Sequence, residues 1–229
     1  LLDTVYEPIY AHFGEEFGKT LCGFFSDEPQ LGNAGGASSP GIAQVGNKTM
    51  MLSWCAELEE AMRAEWGPQF LPVLVSCWYD VKHYSPAGRL SYMDHLSRLF
   101  EENFSNQLGD WCRAHGVEYI GHIIEDNGSH ARLGHGPSHF FRALWGQDMS
   151  GVDVVLQQIR PGLEDTLFYR IGGTAFYDGR LFHKILAKMG SSLGHMDPKK
   201  KGRTLCEIFG AYGWSEGLKL MKWLTDHML

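Results

Sequence analysis

Apolar residues recur every three or four positions in some stretches of this chain and cluster in short unbroken runs in others. Residues 3–17 carry Val5, Ile9, Tyr10, Phe13 and Phe17 at helical spacing, and Gly18 closes them. Residues 21–25 form a run too short for a helix and long enough for a buried strand. A helix is expected over 50–66, through Met50, Trp54, Leu58, Met62 and Trp66. Residues 71–78 fit either a strand or a buried helix. Residues 91–115 predict a long amphipathic helix on Leu96, Leu99, Phe100, Phe104, Leu108, Trp111 and Cys112, ended by Gly116. Further strands are expected over 117–124, 152–159 and 203–208, with helices near 140–144, 174–189 and 216–228.

That alternation of strand and helix predicts an α/β protein built from parallel βα units. A full parallel (β/α) barrel of the TIM type takes about 250 residues for eight units. Here four units, with an insertion at about 30–90, use all 229 residues as one segment. The pattern therefore predicts half of such a barrel or a small open sheet. The glycine-rich stretch 32–41 reads as a surface or substrate-covering loop. It has neither the closing Lys-Ser/Thr of a P-loop nor GxGxxG.

Composition narrows the function classes. The formal charge of −7 gives no basic footprint for nucleic acid or an anionic membrane, and Lys199-Lys200-Lys201 reads as a solvated loop. No run approaches the roughly 18 apolar residues of a membrane span. The five cysteines are scattered and odd in number, which argues against a disulfide framework and points weakly to the cytoplasm. Aromatics make up 13% of the chain, with seven Trp, enough to fill a core and also stack on flat ligand faces such as sugars. The chain starts on Leu1 inside a predicted helix, which predicts a fragment or a processed piece.

Three of the expected strands stop in acids: Asp27-Glu28 before Pro29, Glu125-Asp126 before Asn127, and Glu207. A parallel sheet sets all its strand ends on one side, so these carboxylates are expected to converge on one mouth. A pair of carboxyl groups, one protonated and one ionised, is what glycosidic bond cleavage needs. A rival chemistry lies in His122, Glu125, Asp126, His130, His135 and His139. His135 and His139 have a metal-ligand spacing, but Pro137 between them opposes a regular helix. Asp126 and Asn127 could instead give oxygens to calcium. A GxSxG elbow is lacking, which leaves a serine hydrolase without support.

The motif Gly23-Phe24-Phe25-Ser26-Asp27-Glu28-Pro29 resembles the strand-four acid motif of clan A glycoside hydrolases, in which the general acid is a Glu followed by Pro. Asp27 stands where many members have Asn, a residue that contacts the sugar 2-hydroxyl. The stretch from Arg203 through Glu207 to Trp214 resembles the strand-seven acid motif. Ser191-Ser192-Leu193-Gly194-His195, and Val117 to His122 with Glu125-Asp126-Asn127, are similar to segments of glycoside hydrolase family 106 and its bacterial relatives. The resemblance implies that the chain covers strands four to seven of a barrel, the rest of which lies elsewhere. It implies a glycosidase with Glu28 as general acid and Glu207 as base or nucleophile. Trp78 or Trp214 would stack on a sugar, and Asp27, His122, Glu125, Asp126, Asn127 and His195 would bind hydroxyls of a glycoside or oligosaccharide. No metal ligand is assigned, although family 106 enzymes are calcium-dependent. The alternatives are a non-catalytic carbohydrate-binding barrel and a metal-dependent hydrolase using the cluster at 122–139.

Overall fold

Gly18 and Gly116 launch the first two strands. Both take left-handed φ values, +73° and +74°, that close the helical segments before them. They lie so near each other that a Cβ on Gly18 would sit 3.2 Å from the Gly116 carbonyl oxygen. The two chains therefore enter the sheet side by side. The computed structural model describes residues 1–29, 31, 45–48, 51–123, 136–137, 139–169 and 176–229.

A π-helical turn, Leu2–Tyr6, runs into α1 (Glu7–Phe13), and β1 follows at Gly23–Ser26. The insertion is helical where described, with α2 (Ala56–Trp66), α3 (Phe70–Ser76) and α4 (Ser85–Phe100). The ambiguous run at 71–78 is thus a helix, not a strand. A π-helical segment, Glu101–Asn106, joins α4 to α5 (Gln107–Ala114), so the long amphipathic helix exists but begins earlier than its apolar spacing suggests. Next come β2 (Glu118–Gly121), α6 (Phe140–Ala143) and β3 (Ser150–Val154). Two short strands, β4 (Leu167–Tyr169) and β5 (Phe176–Asp178), precede a π-helical turn (Leu181–Ile185) and α7 (Leu186–Met196). The chain closes with β6 (Thr204–Ile208) and α8 (Gly217–Met228).

β1 and β2 pair in parallel, Gly23 opposite Glu118 and Ser26 opposite Gly121. β3 and β6 form a second parallel pair, Ser150 opposite Thr204 and Val154 opposite Ile208. The pairs abut. Asp148 N–H donates to the Tyr119 carbonyl at 2.7 Å, and a Cβ on Gly151 would fall 1.6 Å from the Gly121 oxygen. Since 148 meets 119 and 151 meets 121, β2 and β3 also advance in the same direction. The spatial order is β1, β2, β3, β6, which matches the order expected of consecutive βα units. This is a mixed α/β architecture with short parallel strand pairs. The described residues form no closed barrel.

One expectation fails in the stretch 174–189, where a helix was anticipated. β5 pairs antiparallel with β4, and buried Phe168 and Tyr177 face each other with ring centres 5.7 Å apart. Alternation of buried and exposed positions in β4 overrides the weak helical spacing, and the helix begins only at Leu181. The strand at 152–159 likewise stops at Val154, because Leu156 and Gln157 both take left-handed φ values.

Side chains alternate across the sheet. Phe24 and Tyr119 point to the helical side, where Tyr6 and Trp111 pack on them, and Val152 lies under Gly190 of α7. The opposite face is layered. Arg203 grips Glu118 bidentately at 3.1 and 2.7 Å at the strand starts. Phe25, Ile120 and Leu205 follow, and acids and a histidine stand at the strand ends. The insertion has its own core of Leu58, Met62, Phe70, Val73, Tyr92 and Leu96. No helix among the described residues is long and apolar enough to cross a membrane.

Candidate functional site

The site is set by strand parity. Phe25 is followed two residues later by Asp27, Ile120 by His122, Gly151 by Asp153 and Leu205 by Glu207, so each strand presents one polar group on the same face at its end. The edge contact of the Phe25 ring with the His122 ring, 5.5 Å between centres, confirms the shared face. Asp153 and Glu207 are register partners on adjacent strands.

His122 is the hub. It has no exposed surface, and its Nε2 lies 3.0 Å from Glu207 Oε2 and 3.4 Å from Asp27 Oδ1. An ionised carboxylate only accepts hydrogen bonds, so Nε2 carries the proton and donates. Nδ1 is buried and has no hydrogen-bond partner among the described residues. Two sets of donor atoms, Asp27 with His122 and Glu207, and Glu28 with His122 and Asp153, each lie within 4.8 Å of one another. Four carboxylates from three strand ends therefore surround one imidazole. Glu28 and Glu207, both against that ring, have carboxyl groups no more than about 10 Å apart, a limit that admits the spacing of glycosidase acid pairs. Like charges this close repel, though water screens the exposed Asp27 and Glu207. The cluster thus favours an added positive charge.

Backbone strain concentrates here. Of seven described non-glycine residues with positive φ, five (Glu28, Leu156, Gln157, Phe209 and Ala211) follow the C-terminal ends of β1, β3 and β6. Glu28, at φ +44°, precedes a proline that favours an extended neighbour, so its conformation is held by its surroundings. The loops after β3 and β6 are tied together. Leu156 N–H donates to the Gly210 carbonyl at 2.7 Å, and the buried Tyr212 hydroxyl accepts from Ile159 N–H and donates to the Ile159 carbonyl.

Among the described residues, Arg160 and Arg203 are engaged elsewhere. Arg203 holds Glu118, and Arg160 donates to the Tyr169 carbonyl and lies over the Phe168 ring. Asp27, Glu28, Asp153 and Glu207 offer oxygen atoms of the kind that calcium takes. An imidazole in the same shell suits zinc- or manganese-class ions better.

Of the residues singled out in the sequence, Asp27, Glu28, His122 and Glu207 come together. Trp214 stands fully exposed on the loop after β6, at the same end of the sheet. Trp78 packs against the helical core of the insertion. His195 lies near the end of α7, with Nδ1 2.8 Å from the Ser191 carbonyl and its ring against Gly202, on the side where β6 begins and opposite the acids. Glu125, Asp126, Asn127, His130 and His135 lie outside the described residues. His139 is committed to capping α6, where its Nδ1 accepts from Arg142 N–H at 3.3 Å, and burial lowers its pKa. Asp153 was missed. Its signal was a lone carboxylate inside the apolar strand Ser-Gly-Val-Asp-Val, a residue type that is seldom buried without a task. No protein-family model, curated protein or solved structure matches the chain.

Proposed function

We propose that this chain carries the acid–base site of a glycoside hydrolase, on a segment equivalent to strands four to seven of a (β/α)8 barrel. The observation that carries this reading is the meeting of Glu28 and Glu207, 179 positions apart, on the single imidazole of His122. Glu28 donates its proton to the leaving oxygen. Glu207, held in place by the His122 Nε2–H, attacks the anomeric carbon or activates water. Asp27, the most exposed of the acids, accepts a sugar hydroxyl, and Trp214 offers a ring face. The outer edges of β1 and β6 are unpaired among the described residues, and the sheet face opposite the helices exposes Phe25 at 48%. Further parallel strands on those edges would complete the barrel and wall in the acids. A screen of aryl glycosides that differ in sugar and anomeric configuration tests the activity. Release of aglycone from at least one sugar, lost in Glu207→Gln, is the expected result, and inertness toward the whole set argues against a hydrolase.

A second reading, a metal-dependent hydrolase, is favoured by the two donor sets that share His122. It moves the metal site from the 122–139 segment to Asp27, His122 and Glu207. Metal analysis of purified protein decides it: a stoichiometric zinc- or manganese-class ion removed by His122→Ala supports it, and none argues against it.

A further inference from the structure

His122 has nothing behind it to lock its tautomer. The role of one ring nitrogen is normally set by the bond that the other makes. Nδ1 of His122 is buried and has no hydrogen-bond partner among the described residues. Only the carboxylates in front hold the proton on Nε2, Glu207 at 3.0 Å and Asp27 at 3.4 Å. The neutral ring can carry that proton on Nδ1 instead, a shift that breaks no bond at Nδ1 among the described residues. Nε2 then presents a lone pair between two carboxylates.

Those three groups already stand at ligand spacing. Donor atoms bound at about 2.0–2.2 Å to one ion lie roughly 3–3.5 Å apart along the edges of an octahedron or a tetrahedron. The distances from Nε2 to Glu207 Oε2 and to Asp27 Oδ1 fall in that range, and the three residues offer donor atoms within 4.8 Å of one another. A nitrogen among carboxylate oxygens suits a zinc-class ion better than calcium. The imidazole is wholly buried and so held in place, whereas the Asp27 and Glu207 side chains are 72% and 44% exposed and open to an ion from solvent. A resident metal site would keep an outer-shell acceptor on the second ring nitrogen, and no described residue supplies one. The hold on an ion is therefore loose.

We propose that Asp27, His122 and Glu207 bind a zinc-class ion reversibly and that the bound ion switches the acid–base site off. An ion held there takes the Glu207 oxygen that faces His122 and neutralises the carboxylate that must attack or activate water. This inhibition rests on the glycosidase reading, whereas binding of the ion does not. It also sets the ion apart from the activating metal of a metal-dependent hydrolase.

The test uses the whole chain, stripped with a chelator, and zinc chloride as the probe. Loss of even an outer-shell partner costs about 10–100-fold in metal affinity, so Asp27→Asn and His122→Ala should each weaken zinc binding at least about tenfold in calorimetry. Nitrogen-15 NMR should place the ion on Nε2 of His122 and the proton on Nδ1. Asp27 is largely exposed, so Asp27→Asn should keep the wild-type melting temperature, which separates lost binding from lost folding. Hydrolysis of an aryl glycoside should fall as zinc fills the site and return when the chelator is added. No zinc binding, or binding that survives both substitutions, overturns the proposal. Hydrolysis that zinc leaves unchanged or accelerates overturns the inhibition, and acceleration favours the metal-dependent reading. Zinc on His122 in a stripped chain that hydrolyses no glycoside keeps the ion site and removes the glycosidase reading. Hydrolysis without zinc binding does the reverse.

Discussion

Glu207 Oε2 and His122 Nε2 lie 3.0 Å apart, and the imidazole that makes this bond is wholly buried. A buried donor aimed at one oxygen of a half-exposed carboxylate fixes that carboxylate's direction. Replacing the donor should therefore harm chemistry more than binding. His122→Leu is expected to lower kcat on an activated aryl glycoside by roughly 10²–10³, the loss typical of one positioned donor, with KM little changed. His122→Gln, which keeps a side-chain N–H, should recover part of it. Steady-state kinetics of the two variants check this.

The loops that hold the mouth depend on a single phenol. Tyr212 OH bridges both the N–H and the carbonyl of the buried Ile159, and burial pushes its pKa upward. Tyr212→Phe leaves two backbone groups without partners and should cost about 1–3 kcal/mol in urea unfolding. A change below about 0.5 kcal/mol would mean that water replaces the hydroxyl and the tie is dispensable.

Much of this arrangement is visible in the sequence, and particular residues show why the rest is not. The strand ends at Asp27 and Glu207 could be found because an apolar run that stops in a charged group marks both the strand and its mouth, whereas His122 fell inside the strand expected over 117–124, whose acids Glu125 and Asp126 lie outside the described residues. Asp153 could not be found that way, since it sits inside its strand and only the register with Glu207 reveals its partner. Trp78 and His195 looked like mouth residues, but their positions depend on which way a helix faces, and the spacing of a short segment does not fix that. The hairpin of β4 and β5 was hidden because Tyr177 and Phe182 also fit a helical stripe, and pairing across the hairpin decides between the two.

Lys200 makes a pH-dependent prediction away from the site. Its fully buried ammonium donates to the carbonyls of Leu144, Trp145 and Gln147 and pairs with Asp197 at 3.2 Å. Burial lowers its pKa to about 8, against the attraction of Asp197. Between about 8 and the ordinary lysine value of 10.5 the unfolded chain binds a proton that the folded chain has released, so this group's contribution to stability rises with pH across that window. The urea midpoint of wild type relative to Lys200→Met should therefore increase from pH 7.5 to pH 10. At pH 7 Asp197→Ala should cost about 3–5 kcal/mol by leaving a buried charge unpaired. A flat wild-type difference across the window would show that Lys200 titrates at its ordinary value.

The layered sheet face predicts association. Phe25 is 48% exposed and lies with Ile120 and Leu205 on the side opposite the helices, beside the edges of β1 and β6 that have no partner strand among the described residues. The 229-residue chain by itself is expected to self-associate at micromolar concentration, and Phe25→Lys should shift it toward monomer in sedimentation velocity. A wild-type chain that sediments as a monomer and melts cooperatively would mean that this face is stable without a cover.

The central claim, that Glu28 and Glu207 divide the work of acid and base, is tested most directly by a leaving-group series. Hydrolysis of aryl glycosides spanning good and poor leaving groups is measured for wild type, Glu28→Gln and Glu207→Gln. The account predicts that Glu28→Gln loses about 10²–10⁴ in rate on poor leaving groups and far less on activated ones, which need no proton. Glu207→Gln should lose that much or more on all of them. The reverse pattern of sensitivity, or losses below about tenfold for both variants, would contradict the assignment.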